Sequence, residues 1–428
     1  MIPLEKTESQ FYGPNLGYVL ELYERYREDP DSVDEKTRRF FEDWSPPRVG
    51  ANGHAPSGVA DVDVDKVVGA AKFIRSIRDF GHMAAQLDPL GSEPHGDPTL
   101  DPGFHGISEE DLEGMPSSAI GGPLAERTST AKEAVDELRR IYCSTTGYDF
   151  GHIHEPEERF WLRDSVESEE FNGTLDGEDA KRLLRRLTRV DTFENFLHKT
   201  FLGQKRFSVE GNDMVVPMLN RLVRCAADAG TPEVVMGMAH RGRLNVLAHV
   251  LNKPYAKIFG EFQQPDKGEQ PAAAESGGGG WVGDVKYHLG QREFHLKEGE
   301  EDQKVLINLA PNPSHLEHVN PVTEGMTRAS QEKRDEPGEP NLNTDASFTI
   351  TLHGDAAFPG EGVVAETLNL YRLPGYTTGG TIHIITNNQL GFTTEKQDAR
   401  STQYASDLAK GFEIPVVHVN ADDPEACL

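Results

Sequence analysis

Two turns in the sequence carry residue types that can hold a hard metal ion and an anion together. The first is Leu352-His353-Gly354-Asp355-Ala356-Ala357-Phe358, which follows a β-branched run and precedes a helical pattern with Val363, Val364, Thr367, Leu368 and Tyr371 on its apolar face. The second, Asn387-Asn388-Gln389-Leu390-Gly391-Phe392, follows the apolar run Thr381–Thr386. In a strand–helix–strand unit both turns leave the carboxyl edge of the sheet, so Asp355 and Asn388 can converge there. One carboxylate, one amide oxygen and a backbone carbonyl, that of Leu390, suit Mg²⁺, which takes oxygen ligands in octahedral geometry and leaves places for phosphate oxygens and water. Gly354, Ala356 and Ala357 are small enough for backbone to approach a diphosphate at the start of the next helix. Gly-Asp and Asn-Gln also occur in ordinary turns; the pairing of the two across one unit favours the metal reading.

A third cluster, Ala239-His240-Arg241-Gly242-Arg243-Leu244-Asn245, follows the run Glu233–Met238. An imidazole and two guanidiniums at one strand end can bind carboxylate or phosphate, with structural ion pairing as the alternative. Two further segments, Asn312-Pro313-Ser314-His315-Leu316-Glu317 and Val285-Lys286-Tyr287-His288-Leu289-Gly290, bring histidines able to bind a carboxylate or move a proton near neutral pH. His152, His154, His198 and His418 have no sequence neighbours that promote them, and the spacing at 152–154 lacks further zinc ligands.

The elements that must position these turns are legible as patterns. Apolar residues Tyr18, Val19, Leu22, Tyr23 and Tyr26 predict a helix ending before Pro30, and Val33, Phe40, Phe41 and Trp44 a second one ending before Pro46. Together they form a helical hairpin over 1–45, followed by a Pro/Gly/Ala/Ser-rich linker over 46–62. A mainly helical domain is expected over 63–178, with helices over about 63–90 and 130–142 and a loop from Asp88 to Pro123. From 179 to 428, helices Lys181–Val190 and Phe193–Lys199 lead into β runs Glu233–Met238, Lys304–Leu309, Ser347–Leu352, Thr381–Thr386 and Pro415–Val419, alternating with helices. That alternation predicts an α/β domain, a parallel sheet with helices on both faces. Gln264–Gly280, ending in four glycines, reads as a mobile loop.

Composition narrows the function classes. The 428 residues correspond to about three structural units. Lys plus Arg total 43 against 71 Asp plus Glu, a net −28, which repels phosphate backbones and argues against nucleic-acid binding; so acidic a surface also occurs in proteins adapted to high salt. No apolar stretch approaches the roughly 18 residues a membrane span needs. Three cysteines without CxxC spacing fit a reducing compartment, and the N-terminus has neither signal nor transit character, so a cytoplasmic protein is expected.

The segments Gly237–Leu247, Gly283–Gly290, Asn312–Glu317, Gly354–Phe358 and Asn387–Thr394 closely resemble the thiamine-diphosphate-dependent E1 components of 2-oxoglutarate dehydrogenase complexes. So do Leu20–Tyr26 with Asp29–Asp34, which is similar to that family's N-terminal docking segment, and Leu87–Gly91, Phe207–Gly211 and His418–Ala426, in the family's order. The resemblance covers essentially the whole chain. It implies a thiamine-diphosphate-binding fold, decarboxylation of 2-oxoglutarate in the tricarboxylic acid cycle, and succinyl transfer to the lipoyl arm of an E2 subunit in a complex that also holds E3. By resemblance Asp355, Asn388 and Leu390 hold Mg²⁺ and the diphosphate, and Ala356 and Ala357 line it. Arg241, Ser314 and Leu316 face the cofactor, while His240 and His288 face the substrate.

One departure is local: Phe80-Gly81-His82 stands where the family often has Arg-Gly-His. Another concerns length. In the family a later pyrimidine domain supplies the activating glutamate, across a homodimer, and this sequence stops at Leu428, shortly after the diphosphate motif. The expectation is a fragment, an early-terminated version, or a chain completed by a separate polypeptide; Glu366 is not that glutamate. Alternatives are a decarboxylase or carboligase acting on 2-oxoglutarate, or a non-catalytic docking form.

Overall fold

The computed structural model describes residues 63–169, 173, 175–262, 286–297 and 300–428, together with Tyr23, Tyr26, Arg27, Pro30, Val33, Thr37, Arg38 and Phe41. Most of the expected helical hairpin, its linker and the glycine-rich loop Gln264–Gly280 lie outside the described residues. Within the hairpin, Tyr23, Tyr26 and Phe41 are helical, and Phe41 packs its ring against both tyrosines at 5.3 and 5.5 Å.

The chain divides into two compact units, residues 1–172 with 417–420, and residues 173–416 with 421–428. In the first, helix α1 (Val64–Phe80) starts at Asp63, whose carboxylate accepts from the Asp65 amide, and buries Ala70, Phe73, Ile74 and Ile77. It packs on α2 (Ala131–Tyr142), capped by Thr130 and burying Ala134, Val135, Leu138 and Ile141. The span 88–123 is less of a loop than its Gly/Pro content predicts. Ser108 and Asp111 form a reciprocal capping box that starts a one-turn helix, Glu109–Glu113, whose Leu112 joins the core. Arg78 donates to both carboxylate oxygens of buried Glu167, at 2.6 and 2.9 Å.

A strand of this unit, β1 (Thr146–Asp149), pairs with the strand Val416–Val419. That corrects the expectation that Pro415–Val419 joins the parallel sheet. The Asn420 amide donates to the Thr145 carbonyl and its side chain to that of Gln86, completing the attachment. His82 gathers with His152 and His418, the latter two unpromoted in the sequence, round buried Asp149 at 3.3, 3.5 and 3.8 Å. No group of three or more His, Cys, Asp or Glu among the described residues is arranged to hold a metal.

The second unit is built on a five-stranded sheet in the order β3-β4-β2-β5-β6: β2 (Glu233–Met238), β3 (Gln291–Lys297), β4 (Glu300–Leu309), β5 (Ser347–Gly354) and β6 (Thr381–Thr386). Four strands are parallel, as expected, with Met236 opposite Ile350 and Ile350 opposite Ile382. The unexpected fifth, β3, is antiparallel to β4 and makes the sheet mixed. Its sequence, Gln-Arg-Glu-Phe-His-Leu-Lys, is too polar for a buried parallel strand and suits an edge.

Side-chain alternation along β2 sorts the two faces. Val234, Met236 and Met238 enter a core with Val190, Phe193 and Leu197 of α3 (Gly177–Thr200) and Leu219 and Val223 of α4 (Val215–Asp228). Each such side chain, fully buried, contributes about 1.5–3 kcal/mol. Helix α3 runs unbroken through the two helices expected at 181–199. On the other face Gly237 meets Thr323 of α5 (Val319–Gln331); a Cβ at Gly237 would lie 3.0 Å from the Thr323 methyl. This second interface is polar: Thr327 shares a 2.6 Å hydrogen bond with Thr349, and Gln331 donates to the carbonyls of Ser347 and Thr378.

Candidate active site at the carboxyl edge of the sheet

The parallel strands β2, β5 and β6 end side by side, so the turns following them meet. Arg241, three residues beyond β2, donates to Asp355 Oδ1 at 3.0 Å, to the Leu390 carbonyl at 2.9 Å, and to the Thr386 carbonyl at the end of β6. Three turns that share no local sequence are thus joined by one guanidinium. Asp355 is buried, and a second guanidinium, Arg400, approaches its other oxygen at 3.9 Å. Ala356 is the N-cap of the short helix Ala357–Gly360, and Gly391 of the Asn388 loop lies directly against Ala356. A Cβ on Gly391 would lie inside van der Waals contact with the Ala356 methyl, so this close approach requires glycine.

Asn388 is exposed, and its Oδ1 accepts from the Leu390 amide at 3.2 Å, within its own turn. Ser314 is exposed and Leu316 half-buried, and among the described residues the side-chain partners of Asp355 are Arg241 and Arg400 rather than either of these. Their segment is instead anchored through the next residue. Glu317, with φ 66°, turns a fully buried carboxylate to His353, whose Nδ1 donates to Oε2 at 2.6 Å, and Asn320 Nδ2 donates to the same oxygen at 2.9 Å. His353 Nε2 in turn meets His383 Nδ1 at 3.0 Å and the Thr351 hydroxyl at 3.2 Å. Burial, reinforced by His353, pushes His383 down to about 3, so it is neutral at physiological pH.

His240 and His288 are brought together, their rings edge to face at 4.9 Å. His288 is locked at both ends of Asn312: its Nδ1 donates to the Asn312 carbonyl at 2.9 Å and its own carbonyl accepts from the Asn312 amide. That partner fixes the Nδ1–H tautomer and leaves Nε2 as the working nitrogen. The His240 ring lies on Phe207 at 4.9 Å. Phe207 is held because its amide donates to the Tyr287 hydroxyl and its carbonyl accepts from the Gly242 amide. Gly242 has φ 74°, and a Cβ there would lie 2.8 Å from a Val209 methyl. Below this loop, buried Glu194 accepts from Arg206, Asn245 and the Val209 amide; its desolvation raises its pKa.

The structure corrects one feature of the anion cluster. Arg243 is fully buried and donates to the carbonyls of Met238, Leu289 and Ala310 at 2.7–2.9 Å, which leaves it no anion-binding role. Burial lowers it to about 9, still well above neutral pH, so it stays cationic and is matched by carbonyl dipoles. Its work is to tie the His288 turn to the ends of β2 and β4. Sequence reasoning also missed Arg400, Glu317 and His353 as a set. Glu317 and His353 belong to two of the motif segments, but only the fold reveals their contact; Arg400 lies in a polar stretch without any pattern.

As a metal and diphosphate cradle the donor set fits. A buried carboxylate, a backbone carbonyl and an amide oxygen on one loop are hard oxygen donors, and two guanidiniums beside them match phosphate oxygens. Cys143 and Cys427 are pushed up to about 11 by burial, so neither thiol is a nucleophile near neutral pH.

Residues 210–428 match the family profile of the dehydrogenase E1 component, and residues 8–47 match that of the 2-oxoglutarate dehydrogenase N-terminus. The chain is 49% identical over 434 residues to a protein of Geobacillus sp. (strain WCH70) named 2-oxoglutarate dehydrogenase E1 component, covering 98% of this chain and 45% of the relative. Proteins of the same name from Exiguobacterium sp. (strain ATCC BAA-1283 / AT1b) and Bacillus subtilis (strain 168) are each 48% identical, covering 99% and 98% of this chain and 44% and 45% of their own lengths. The chain thus spans a little under half the length of these curated relatives.

Proposed function

The chain belongs to the dehydrogenase E1 component family, and from that membership we propose that it forms the diphosphate-binding half of a 2-oxoglutarate dehydrogenase E1 site. The observation that carries the reading is the junction of Arg241, Asp355 and the Leu390 carbonyl at the carboxyl ends of three parallel strands. There Asp355, Asn388 and the Leu390 carbonyl would hold Mg²⁺, with Ala356 and Ala357 against the diphosphate and Arg241 donating to it. Ser314 and Leu316 would complete the cofactor side. Thiamine diphosphate, when bound, supplies the electron sink that lets a 2-oxo acid lose CO₂.

The protein's own part is to bind and orient. His240 and His288 face the substrate: protonation at His288 Nε2 makes it a donor to a carboxylate of 2-oxoglutarate, while its Nδ1 remains on the Asn312 carbonyl. The Phe207 and Tyr287 rings against His240 provide an apolar wall that strengthens such a bond. The N-terminal match supports docking to a lipoyl-bearing E2 succinyltransferase and to E3, and succinyl transfer to E2 follows from it. A homodimer and a cytoplasmic location complete the reading. Among the described residues no helix is long and apolar enough to cross a membrane.

The test is product analysis with the full-length protein, thiamine diphosphate, Mg²⁺ and a lipoyl domain of E2. CO₂ release from 2-oxoglutarate and succinylation of the lipoyl group, both dependent on the cofactor, are expected. Decarboxylation without succinylation would point to a decarboxylase or carboligase, and no cofactor-dependent turnover would refute the assignment.

A further inference from the structure

Arg400 is the residue of this site that no motif anticipates. It ends the short helix Lys396–Ala399, at the far end of the loop that starts with Asn388, and its side chain is only 3% exposed. Its Nη1 lies 3.9 Å from Asp355 Oδ2, too far for a hydrogen bond, and both Nε and Nη1 are buried without a hydrogen-bond partner among the described residues. Arg241, on the other oxygen of the same carboxylate, spends its donors on Asp355 and two carbonyls. A buried guanidinium with unmatched donors is costly, and the natural match for its planar fork is an anion with several oxygens.

We propose that Arg400 is a second anion-binding guanidinium of the site, donating through Nε and Nη1 to phosphate oxygens of the Mg²⁺-bound diphosphate. This rests on the cofactor reading above. The charges support it. Arg241, Arg400 and Asp355 together carry +1, while a diphosphate ester of about −3 with Mg²⁺ carries about −1, so the occupied site is neutral. Without Arg400 it would hold a net buried negative charge, which a low-dielectric site opposes. A substrate carboxylate shares the same chemistry, but Arg400 faces Asp355, the expected metal ligand, which places the phosphate first.

The test is calorimetric titration of the 428-residue chain with inorganic diphosphate plus Mg²⁺, with Mg²⁺ alone, and with 2-oxoglutarate, for wild type, Arg400→Gln and Arg400→Lys. The proposal expects Arg400→Gln to weaken Mg²⁺-diphosphate binding about tenfold or more, the size of a lost charged hydrogen bond. Binding of Mg²⁺ alone should be unchanged or tighter, because a cation beside Asp355 has gone. Arg400→Lys, which keeps the charge but not the fork, should be intermediate and carries the test if the Gln variant does not fold. Equal weakening of Mg²⁺ alone and Mg²⁺-diphosphate would mean a structural role and overturn the proposal. So would unchanged diphosphate binding with weakened 2-oxoglutarate binding. A wild-type chain that binds Mg²⁺ with neither inorganic diphosphate nor thiamine diphosphate would overturn the cofactor reading itself.

Discussion

Replacing Glu317 by alanine removes the carboxylate on which two buried donors converge, His353 Nδ1 at 2.6 Å and Asn320 Nδ2 at 2.9 Å. Both side chains of the Glu317–His353 pair are essentially inaccessible to solvent. Leaving these two buried donors without their acceptor costs about 1–3 kcal/mol each, about 3–5 kcal/mol together. For a unit of this size that is a fall of roughly 6–20 °C in melting temperature. Glu317→Gln keeps the shape and one acceptor, so roughly a third of that loss is expected from it. Thermal melts of both variants, followed by hydrogen exchange at the β5 and α5 amides, measure the effect where it originates. An alanine variant within about 1 kcal/mol of wild type would refute the reasoning, since that is no more than a surface pair contributes. A variant that melts as expected but loses protection only elsewhere would refute the assignment of the pair as the link between the Ser314 segment and β5.

Two other perturbations follow from the same geometry. His383, held down at about 3, stays neutral in the fold while the unfolded chain takes up its proton near the ordinary histidine value of about 6.5. The unfolded state therefore binds the extra proton between those values, and this contribution to stability is lost as pH falls from about 6.5 toward 3, by up to about 1.4 kcal/mol per pH unit. Urea unfolding against pH should give a shallower acid-side slope for His383→Asn than for wild type; parallel slopes would count against it. Gly391→Ala should destabilise by about 1–3 kcal/mol through its overlap with the Ala356 methyl, and Ala356→Gly in the same chain should restore most of the loss. Absence of rescue in the double variant would show that the loop does not lie on Ala356 as described.

The parallel strands were readable because each is a short β-branched run between turn signals, as in Thr381-Ile382-His383-Ile384-Ile385-Thr386. The turn at Asp355 and the turn after β6 were readable for the same reason, since a strand–helix–strand unit sends both to one edge. Strand β3 was not, because an edge strand needs no continuous apolar run and its alternation of charged with apolar residues is weak over seven positions. The pairing of Val416–Val419 with β1 depends on contacts between residues far apart in the chain, which local periodicity does not encode. The same holds within the site. Arg241 and Arg243 look alike in sequence, two positions apart on one turn, yet one reaches Asp355 and the other is consumed by carbonyls. Only burial and register separate them, and Arg400 and the Glu317–His353 pair were hidden for the same reason.

The measurement that reaches the central claim most directly is calorimetric titration of the 428-residue chain with thiamine diphosphate and Mg²⁺, for wild type and Asp355→Ala. Saturable, Mg²⁺-dependent binding by wild type and its loss in the folded variant are predicted. Equal binding by the two chains would contradict a diphosphate and metal site at the Asp355 turn.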